Sequence, residues 1–271
     1  MVVRFLSATI AIPIVLAFML LGNLWFLILM IFGAAISSFE ASRLLKTRGI
    51  DTNPTVSASI GSVIVALAYW SGEINISVPL VILCGSISAL VLLIIYNPTN
   101  PTHTTGLLGT LLSATYVGGA LFHAPLLRES IHGLEWLIFL MVTIILTDSG
   151  AYGVGKSIGK TPFFPSISPN KTLEGSIGGL ILGTLGAVAV SYLIEIPNLD
   201  PVAAAGIGIT LSILGQIGDL SESAIKRISG VKDSGGFMPG HGGALDRIDS
   251  IVLSLPVLYY LSYLFPKLVG T

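Results

Sequence analysis

Charged residues and cysteines are scarce in this chain of 271 residues. Only 10% of its residues are charged and 53% are hydrophobic, whereas about a quarter of a typical soluble domain is charged. The mean hydropathy is +0.90. The single cysteine, Cys84, cannot form an intrachain disulfide, and its apolar surroundings indicate a small buried side chain. The four histidines are scattered, so no zinc spacing exists. These absences exclude a disulfide framework and a structural zinc site, and they indicate a membrane protein.

Long apolar runs predict the membrane spans. A helix needs about 17–25 mostly apolar residues to cross a bilayer. Nine runs meet this length, at about 4–21, 24–42, 55–71, 78–96, 105–122, 134–154, 173–194, 201–227 and 247–265. The first is too long for a signal peptide and is followed by Gly22-Asn23, a tight turn into the second run. We therefore expect an all-α polytopic integral membrane protein with about nine transmembrane helices.

The distribution of lysine and arginine predicts the orientation of these helices. With nine spans, eleven of the 13 basic residues fall on one side: Arg4, Arg43, Lys46, Arg48, Lys156, Lys160, Lys171, Lys226, Arg227, Lys232 and Arg247. Only Arg128 and Lys267 fall on the other. Short cytoplasmic loops carry an excess of such residues. We expect a multi-pass protein of the cytoplasmic membrane, with its N-terminus in the cytoplasm.

Polar residues are concentrated in the second half of the chain. The longest polar segments, at about 155–172 and 228–246, are both rich in glycine and serine and both fall on the predicted cytoplasmic side. We expect residues 1–130 to form a helical scaffold and residues 131–271 to form the catalytic region.

The most polar segment, Gly218–Ser250, lies between two apolar runs and contains five acidic and four basic residues. Because a charge inside a membrane costs at least a few kcal/mol, such a cluster indicates a functional site. Its first four polar residues have the spacing of one helix face: Asp219, Glu222, Ser223 and Lys226. This face either lines a cavity or forms a ladder in which Asp219 or Glu222 pairs with Lys226. Gly215 and Gly218 predict close approach by a neighbouring helix.

Asp246 and Asp249 share a face at the start of the ninth run. Together with Asp219 they predict a site for a hard cation such as Mg²⁺, which takes a few carboxylates and leaves other positions for water and phosphate. Simple stabilisation of a helix N-terminus by acidic residues is the alternative.

A Gly-rich loop separates these acids, with Gly235-Gly236 and then Pro239-Gly240-His241-Gly242-Gly243. Repeated glycines let backbone N–H groups approach an anion closely. Four basic residues flank the loop and favour a polyphosphate cradle: Lys226, Arg227, Lys232 and Arg247. Such a loop can also be only a flexible turn, and His241 either contacts phosphate or completes that turn.

A second set of polar residues begins inside the sixth run. Asp148 is embedded in apolar sequence, so we expect it to face the bundle interior. Asn170 can cap the seventh span, where Lys171 offers an ammonium group. Glu174 is a metal ligand, a partner of Lys171 or only a first-turn acid. Residues 150–157 fit the P-loop pattern G-x-x-x-x-G-K-S/T, but that motif requires a preceding strand, so we reject it.

These motifs resemble the phosphatidate cytidylyltransferase family, also called CDP-diacylglycerol synthases. The resemblance covers the last half of the chain and rests on Gly218-Asp219-Leu220 with Ser223, Lys226-Arg227, Lys232-Asp233, Pro239–Gly243 and Asp246–Ser250, together with Asp148, Gly159-Lys160 and Ser168–Gly175. It implies an integral-membrane homodimer that makes CDP-diacylglycerol and pyrophosphate from CTP and phosphatidic acid. It also implies Mg²⁺, with K⁺ as a candidate second cation, held by Asp219 and Asp246.

The roles expected from this combination are as follows. The metal ligands are Asp219, Asp246 and Asp249, and Asp148 is either an additional ligand or an acid that supports the metal site from outside it. The residues that hold phosphate and stabilise pyrophosphate are Lys226, Arg227, Lys232, Arg247 and Lys171. The further substrate-binding residues are Lys160, Asn170, Ser223, Asp233, Gly240, His241, Gly242 and Gly243. We expect a site that opens to lipid and to the cytoplasm, and no nucleic-acid partner.

Four other functions use similar features. A polyprenol or phytol kinase would transfer phosphate from CTP to an alcohol, and a cytidylyltransferase for ether lipids would use a different lipid phosphate. A CDP-alcohol phosphotransferase is disfavoured because its D-G-x-x-A-R motif is absent. A transporter or channel could use Asp148 and Asp219 as a cation path, but the cytoplasmic cluster of bases favours a triphosphate site.

Overall fold

The structure, a computed structural model, describes residues 2–70, 101–237 and 242–268. Within these ranges the chain forms α-helices and no β-strand, apart from one isolated antiparallel bridge between Pro162 and Thr172. The helices are α1 (Val2–Leu21), α2 (Asn23–Thr47), α3 (Pro54–Ala66), α4 (Pro101–Leu121), α5 (His123–Glu129), α6 (Gly133–Ile158), α7 (Leu173–Ser191), α8 (Pro201–Ile228) and α9 (Leu245–Leu268). A 3-10 helix, Leu67–Trp70, follows α3. The predicted all-α class is confirmed for the described residues.

Five of the described helical stretches are long and apolar enough to cross a membrane. They are α2, Thr104–Glu129, α6, α7 and α8. A shorter apolar helix, Pro54–Tyr69, occupies the third predicted span. The predicted span at 78–96, with Cys84, lies outside the described residues. Nine spans and the orientation of the N-terminus therefore stay predictions.

Large apolar side chains are exposed along the outer faces of these helices. They recur every four residues, as on one face of a helix: Ile177, Ile181 and Leu185 on α7, and Ile209, Ile213 and Ile217 on α8. Apolar patches of this kind indicate contact with a membrane or a partner. Together with the long apolar helices, they identify a membrane protein.

The helix ends are set by local residues. Gly22, with φ 63°, is the one residue between α1 and α2, where the tight turn is predicted. Asn53 caps α3, because its side chain accepts a hydrogen bond from the N–H of Val56. The predicted capping of α7 by Asn170 is wrong. The cap is Thr172, whose hydroxyl accepts from the N–H of Gly175 at 3.1 Å.

The chain divides into two compact units. The first comprises Met1–Leu126 and Ile225–Arg247, and the second comprises Leu127–Ala224 and Ile248–Thr271. In the first unit α2, α3 and α4 pack against one another. A Cβ atom on Gly118 of α4 would lie 2.9 Å from the Cα of Gly61 in α3, so glycine permits this close approach.

In the second unit α6 packs along α7 through small residues. A Cβ on Gly150 would lie 2.8 Å from the carbonyl oxygen of Gly178, and one on Gly179 would lie 2.7 Å from that of Thr147. Small residues that let two backbones approach are typical of helix pairs in membranes. The assignment of scaffold to residues 1–130 and catalysis to residues 131–271 stays a prediction.

Candidate active site

Asp246, at the start of α9 in the first unit, is a carboxylate with several bonding partners among the described residues. Its Oδ1 atom lies 2.6 Å from the Nζ of Lys226, and only 13% of the Lys226 side chain and 9% of the Asp246 side chain are exposed. Its Oδ2 atom accepts hydrogen bonds from the N–H and hydroxyl of Ser234, both at 3.0 Å, and from the N–H of Gly243 at 2.7 Å. Four donors thus fix this carboxylate.

Two glycines of the Gly-rich loop, Gly242 and Gly243, pack against carboxylates of the chain itself. Gly242 has φ 85°, and a Cβ there would lie 2.6 Å from Asp246 Oδ2. A Cβ on Gly243 would overlap the hydroxyl of Ser234 and the carboxylate of Glu40. The groups that Gly242 and Gly243 approach are carboxylates of the protein itself, and the polyphosphate cradle stays a prediction. Gly240 and His241 lie outside the described residues.

Glu40 of α2 is a further member of this cluster that the sequence interpretation missed. It is 5% exposed, and its Oε2 accepts hydrogen bonds from the N–H of Leu245 at 2.9 Å and from the hydroxyl of Ser234 at 3.1 Å. A single acidic residue within an apolar run is the signal that could have revealed it. The same signal singled out Asp148 in its own run.

In the second unit, the first turn of α7 holds the polar loop 159–172. The carboxylate of Glu174 accepts hydrogen bonds from the N–H of Lys160 at 3.1 Å and from the hydroxyl of Thr161 at 2.8 Å. The N–H of Phe163 donates to the carbonyl of Lys171 at 2.8 Å. Of the alternatives left open for Glu174, the structure favours a first-turn acid, whose role is to hold this loop.

The same loop presents Lys171 to the acidic face of α8. The Nζ of Lys171 lies 2.7 Å from Oδ2 of Asp219, and the side chains are 26% and 33% exposed. The hydroxyl of Ser223 donates to Oδ1 of Asp219 at 3.4 Å. This partial exposure leaves the pair accessible to a ligand. Glu222, one turn along α8, is fully buried.

Two further predicted metal ligands belong to this unit. Asp148 interacts electrostatically with Asp219, Asp249 and Lys171, so the structure brings these charges into one region. The residue is exposed but lies beside these charges, and the prediction that it faces the bundle interior stays a prediction. Oδ1 of Asp249 accepts from the N–H of Ser250 at 2.7 Å.

The predicted close approach at the two glycines of α8 is present. A Cβ on Gly218 would overlap the carbonyl oxygen of Asp249 in α9, and one on Gly215 would lie 2.7 Å from Cδ1 of Ile144 in α6. Glycine at these positions allows α8 to approach the carboxylate-bearing turn of α9 and the apolar face of α6.

The other predicted phosphate-binding and substrate-binding side chains lie at the surface. Those of Lys160, Asn170, Arg227, Lys232, Asp233 and Arg247 are exposed. Arg227 bonds locally, with Nη1 at 3.4 Å from the carbonyl oxygen of Val231. Their roles toward CTP stay predictions. The P-loop pattern at 150–157 lies entirely within α6, which confirms its rejection, because a P-loop cannot be helical.

The acidic residues have the right chemistry for Mg²⁺, which prefers carboxylate oxygens. Among the described residues, however, no three side chains of the His, Cys, Asp or Glu type are close enough to hold a metal ion. Instead Asp219 and Asp246 each pair with a lysine ammonium. These carboxylates therefore fit an ion that takes one or two protein carboxylates and completes its coordination with water and phosphate.

An apolar pocket of about 580 Å³ lies beside the loop that carries Lys171. Its walls are apolar side chains of the loop, α7 and α8: Phe163, Phe164, Ile167, Ile177, Leu180, Ile213, Ile217 and Leu220. At its polar edge, the amide of Gln216 donates to the carbonyl of Ser176 at 3.2 Å. Such a pocket suits a hydrocarbon chain.

Over the residues that the structure describes, these features define a helical membrane protein with two lysine–carboxylate pairs, one of them next to an apolar pocket. Residues 2–265 match the cytidylyltransferase family, and the chain belongs to that family. Similar proteins are named phosphatidate cytidylyltransferase. That of Staphylococcus aureus (strain COL) is 36% identical over 263 residues, covering 95% of this chain and 97% of its own. That of Staphylococcus haemolyticus (strain JCSC1435) is 35% identical with the same coverage. That of Bacillus subtilis (strain 168) is 44% identical over 155 residues, 57% of each chain.

Proposed function

We propose that this protein is a phosphatidate cytidylyltransferase. It transfers the cytidylyl group of CTP to phosphatidic acid, and it produces CDP-diacylglycerol and pyrophosphate for phospholipid biosynthesis. Family membership over residues 2–265 supports this assignment. The observation that carries it in the structure is the pairing of motif acids with motif lysines, at Lys171–Asp219 and Lys226–Asp246.

The chemistry requires positioning and charge neutralisation. An oxygen of the lipid phosphate attacks the α-phosphorus of CTP, a new P–O bond forms, and the bond to the β-phosphate breaks with its electrons leaving on pyrophosphate. The lipid phosphate is already ionised at neutral pH, so the protein needs no Ser, Cys or His nucleophile. Its contribution is to hold two anions together and to compensate their charge.

The basic residues supply this compensation. Arg227, Lys232 and Arg247 have exposed side chains that can reach phosphates from solution. Lys171 and Lys226 are already oriented by carboxylates at 2.7 and 2.6 Å. A lysine held in this way loses less conformational entropy when a phosphate binds than a free surface lysine would.

Mg²⁺ is the cation that we propose for this reaction, with K⁺ as a candidate second ion. One or two of the candidate ligands Asp219, Asp246, Asp249 and Asp148 would supply carboxylate oxygens to it. When bound, the ion neutralises phosphate charge and orients the reacting oxygens. Because Oδ2 of Asp246 already accepts three hydrogen bonds, its Oδ1 atom is the better donor to a cation, in exchange with Lys226.

We further propose nine membrane spans, a cytoplasmic N-terminus and an active site that faces the cytoplasm. The asymmetry of eleven basic residues against two supports this orientation, and CTP is a cytoplasmic solute. The pocket beside Lys171 can then receive one acyl chain while Lys171 binds the lipid phosphate. A homodimer is part of the proposal and rests on the family resemblance.

An assay of products tests the proposal. Purified protein is incubated with CTP, Mg²⁺ and either phosphatidic acid or a long-chain alcohol, and the nucleotide and lipid products are identified. We expect CDP-diacylglycerol and equimolar pyrophosphate with phosphatidic acid. Release of CDP with a phosphorylated alcohol would indicate a lipid kinase instead. Asp219→Asn, expected to lose activity by orders of magnitude, serves as the inactive control.

A further inference from the structure

Glu40 is a buried carboxylate towards the C-terminal end of α2, in a segment with three serines, and its bonding partners lie far away in the sequence. Its Oε2 accepts from the N–H of Leu245 at 2.9 Å and from the hydroxyl of Ser234 at 3.1 Å, across 205 and 194 residues. An ionisable group in a helix apolar enough to span a membrane is costly unless its contacts compensate. We therefore expect Glu40 to have a functional role.

The Glu40 carboxylate joins the two ends of the Gly-rich loop. Ser234 and Gly235 lie at the start of the loop, and Gly243 and Leu245 lie at its end. A Cβ atom on Gly235 or Gly243 would overlap the Glu40 carboxylate, so the described ends of the loop pack tightly against this group. The N–H of Leu245, at the first residue of α9, has no partner within its own helix, and Glu40 supplies that acceptor.

The contact continues from Glu40 to Asp246. The N–H and the hydroxyl of Ser234 both lie 3.0 Å from Oδ2 of Asp246, and the hydroxyl also lies 3.1 Å from Glu40. A serine hydroxyl has one hydrogen, so the two carboxylates share this donor. Displacement of Ser234 would therefore shift Asp246, and with it the pair with Lys226.

We infer that Glu40 is a positioning residue that holds the loop Ser234–Leu245 and thereby orients Asp246 for the reaction. Its link to turnover rests on the proposed function, whereas its hold on the loop does not. It acts through Ser234 and the start of α9 rather than by touching a substrate. A general role in packing α2 is the competing explanation, and the two make different predictions.

The first test combines kinetics with hydrogen exchange on Glu40→Gln and Glu40→Ala. Gln keeps the length and one acceptor oxygen, and Ala keeps neither. The matched control is Ser37→Ala, which removes a fully buried hydroxyl one turn earlier on α2. We expect kcat at saturating CTP to fall about tenfold or more in Glu40→Ala and less in Glu40→Gln, with the control within about twofold. Amide exchange should quicken by a similar factor in residues 232–247, not in α3 or α4.

Several results would overturn the inference. These are an unchanged kcat in both Glu40 variants, a reduced kcat with unchanged exchange in the loop, or faster exchange spread evenly over the first unit. The exchange measurement needs no substrate. If the wild-type protein fails to convert CTP and phosphatidic acid, the proposed function fails while the hold of Glu40 on the loop remains tested.

A double-mutant cycle then tests the route through Ser234. If Glu40 acts by fixing Ser234, the loss of kcat in Glu40→Gln combined with Ser234→Ala should be close to the larger of the two single losses. Residues that act as one unit show this lack of additivity. Losses that simply multiply would show that the two side chains act independently, and would remove Ser234 from the route.

Discussion

Replacement of Asp246 by Asn should separate the two roles of this carboxylate, which are stabilisation of the fold and catalysis. In the structure Asp246 neutralises Lys226 at 2.6 Å, in a pair whose side chains are 13% or less exposed. An Asn amide offers one oxygen for the three donors at Oδ2, and its NH₂ group then faces the ammonium. Removal of one partner from a buried pair costs about 3–5 kcal/mol. We therefore expect Asp246→Asn to lower the melting temperature by about 10 °C.

The second half of this prediction uses the double variant Lys226→Met/Asp246→Asn. Met fills the volume of Lys without its charge, so the double variant should regain most of the lost stability. Its turnover should remain lower than wild type by orders of magnitude. The assay compares thermal unfolding in detergent with pyrophosphate release per folded molecule. Lys156→Met, a change at an exposed position, is the control and should alter stability by about 0.5 kcal/mol or less.

Two outcomes would refute this reasoning. If Asp246→Asn unfolds at the wild-type temperature, the pair with Lys226 is not the buried interaction described above. If the double variant recovers both stability and turnover, Asp246 and Lys226 serve only the fold, and the catalytic assignment of both residues is wrong.

Three further substitutions test other parts of the account. Gly243→Ala should destabilise the protein by about 1–3 kcal/mol in thermal unfolding, because its Cβ would overlap the side chains of Ser234 and Glu40. Gly236→Ala should be neutral, since no described residue beyond its chain neighbours lies within 4 Å of a Cβ placed there. Equal effects of the two substitutions would contradict the packing described for the loop. Lys171→Met should lower kcat/KM for phosphatidic acid by about a hundredfold or more, and wild-type kinetics would remove it from the phosphate site. Ile213→Trp, in the pocket wall, should raise KM for long-chain but not for short-chain phosphatidic acid. Ile209→Trp, one turn earlier on α8, should leave KM for both substrates unchanged. Equal effects of the two substitutions would show that the pocket does not hold an acyl chain.

Much of the fold could be predicted from the sequence because local pattern determines it. The apolar runs coincide with helices wherever the structure describes them, since a long apolar segment in a membrane must satisfy its own backbone. Gly22 and Gly218 were identified correctly as a helix break and a close contact. The sequence predicts Asn170 as the cap of α7, whereas the observed cap is Thr172. Several residues near a helix start can accept the same backbone hydrogen bonds, so the pattern alone does not distinguish them.

The sequence could single out the charged residues that the structure pairs, but not which residue pairs with which; their roles toward substrate and metal stay predictions. The spacing of Asp219 and Lys226 placed them on one helix face, yet their partners at Lys171 and Asp246 come from other segments. Glu40 was missed for the same reason, since its partners lie about 200 residues away. Charge within an apolar run indicates that a residue has a partner, but only the tertiary structure identifies it.

The position of phosphorus label in the products tests the central claim most directly. Wild-type protein is given phosphatidic acid with CTP labelled with ³²P either at the α-phosphate or at the γ-phosphate. Cytidylyl transfer predicts that the α label enters the lipid and that the γ label is released as pyrophosphate. Entry of the γ label into the lipid, with the α label left on CDP, would contradict the account, because it would show phosphoryl transfer in place of nucleotidyl transfer.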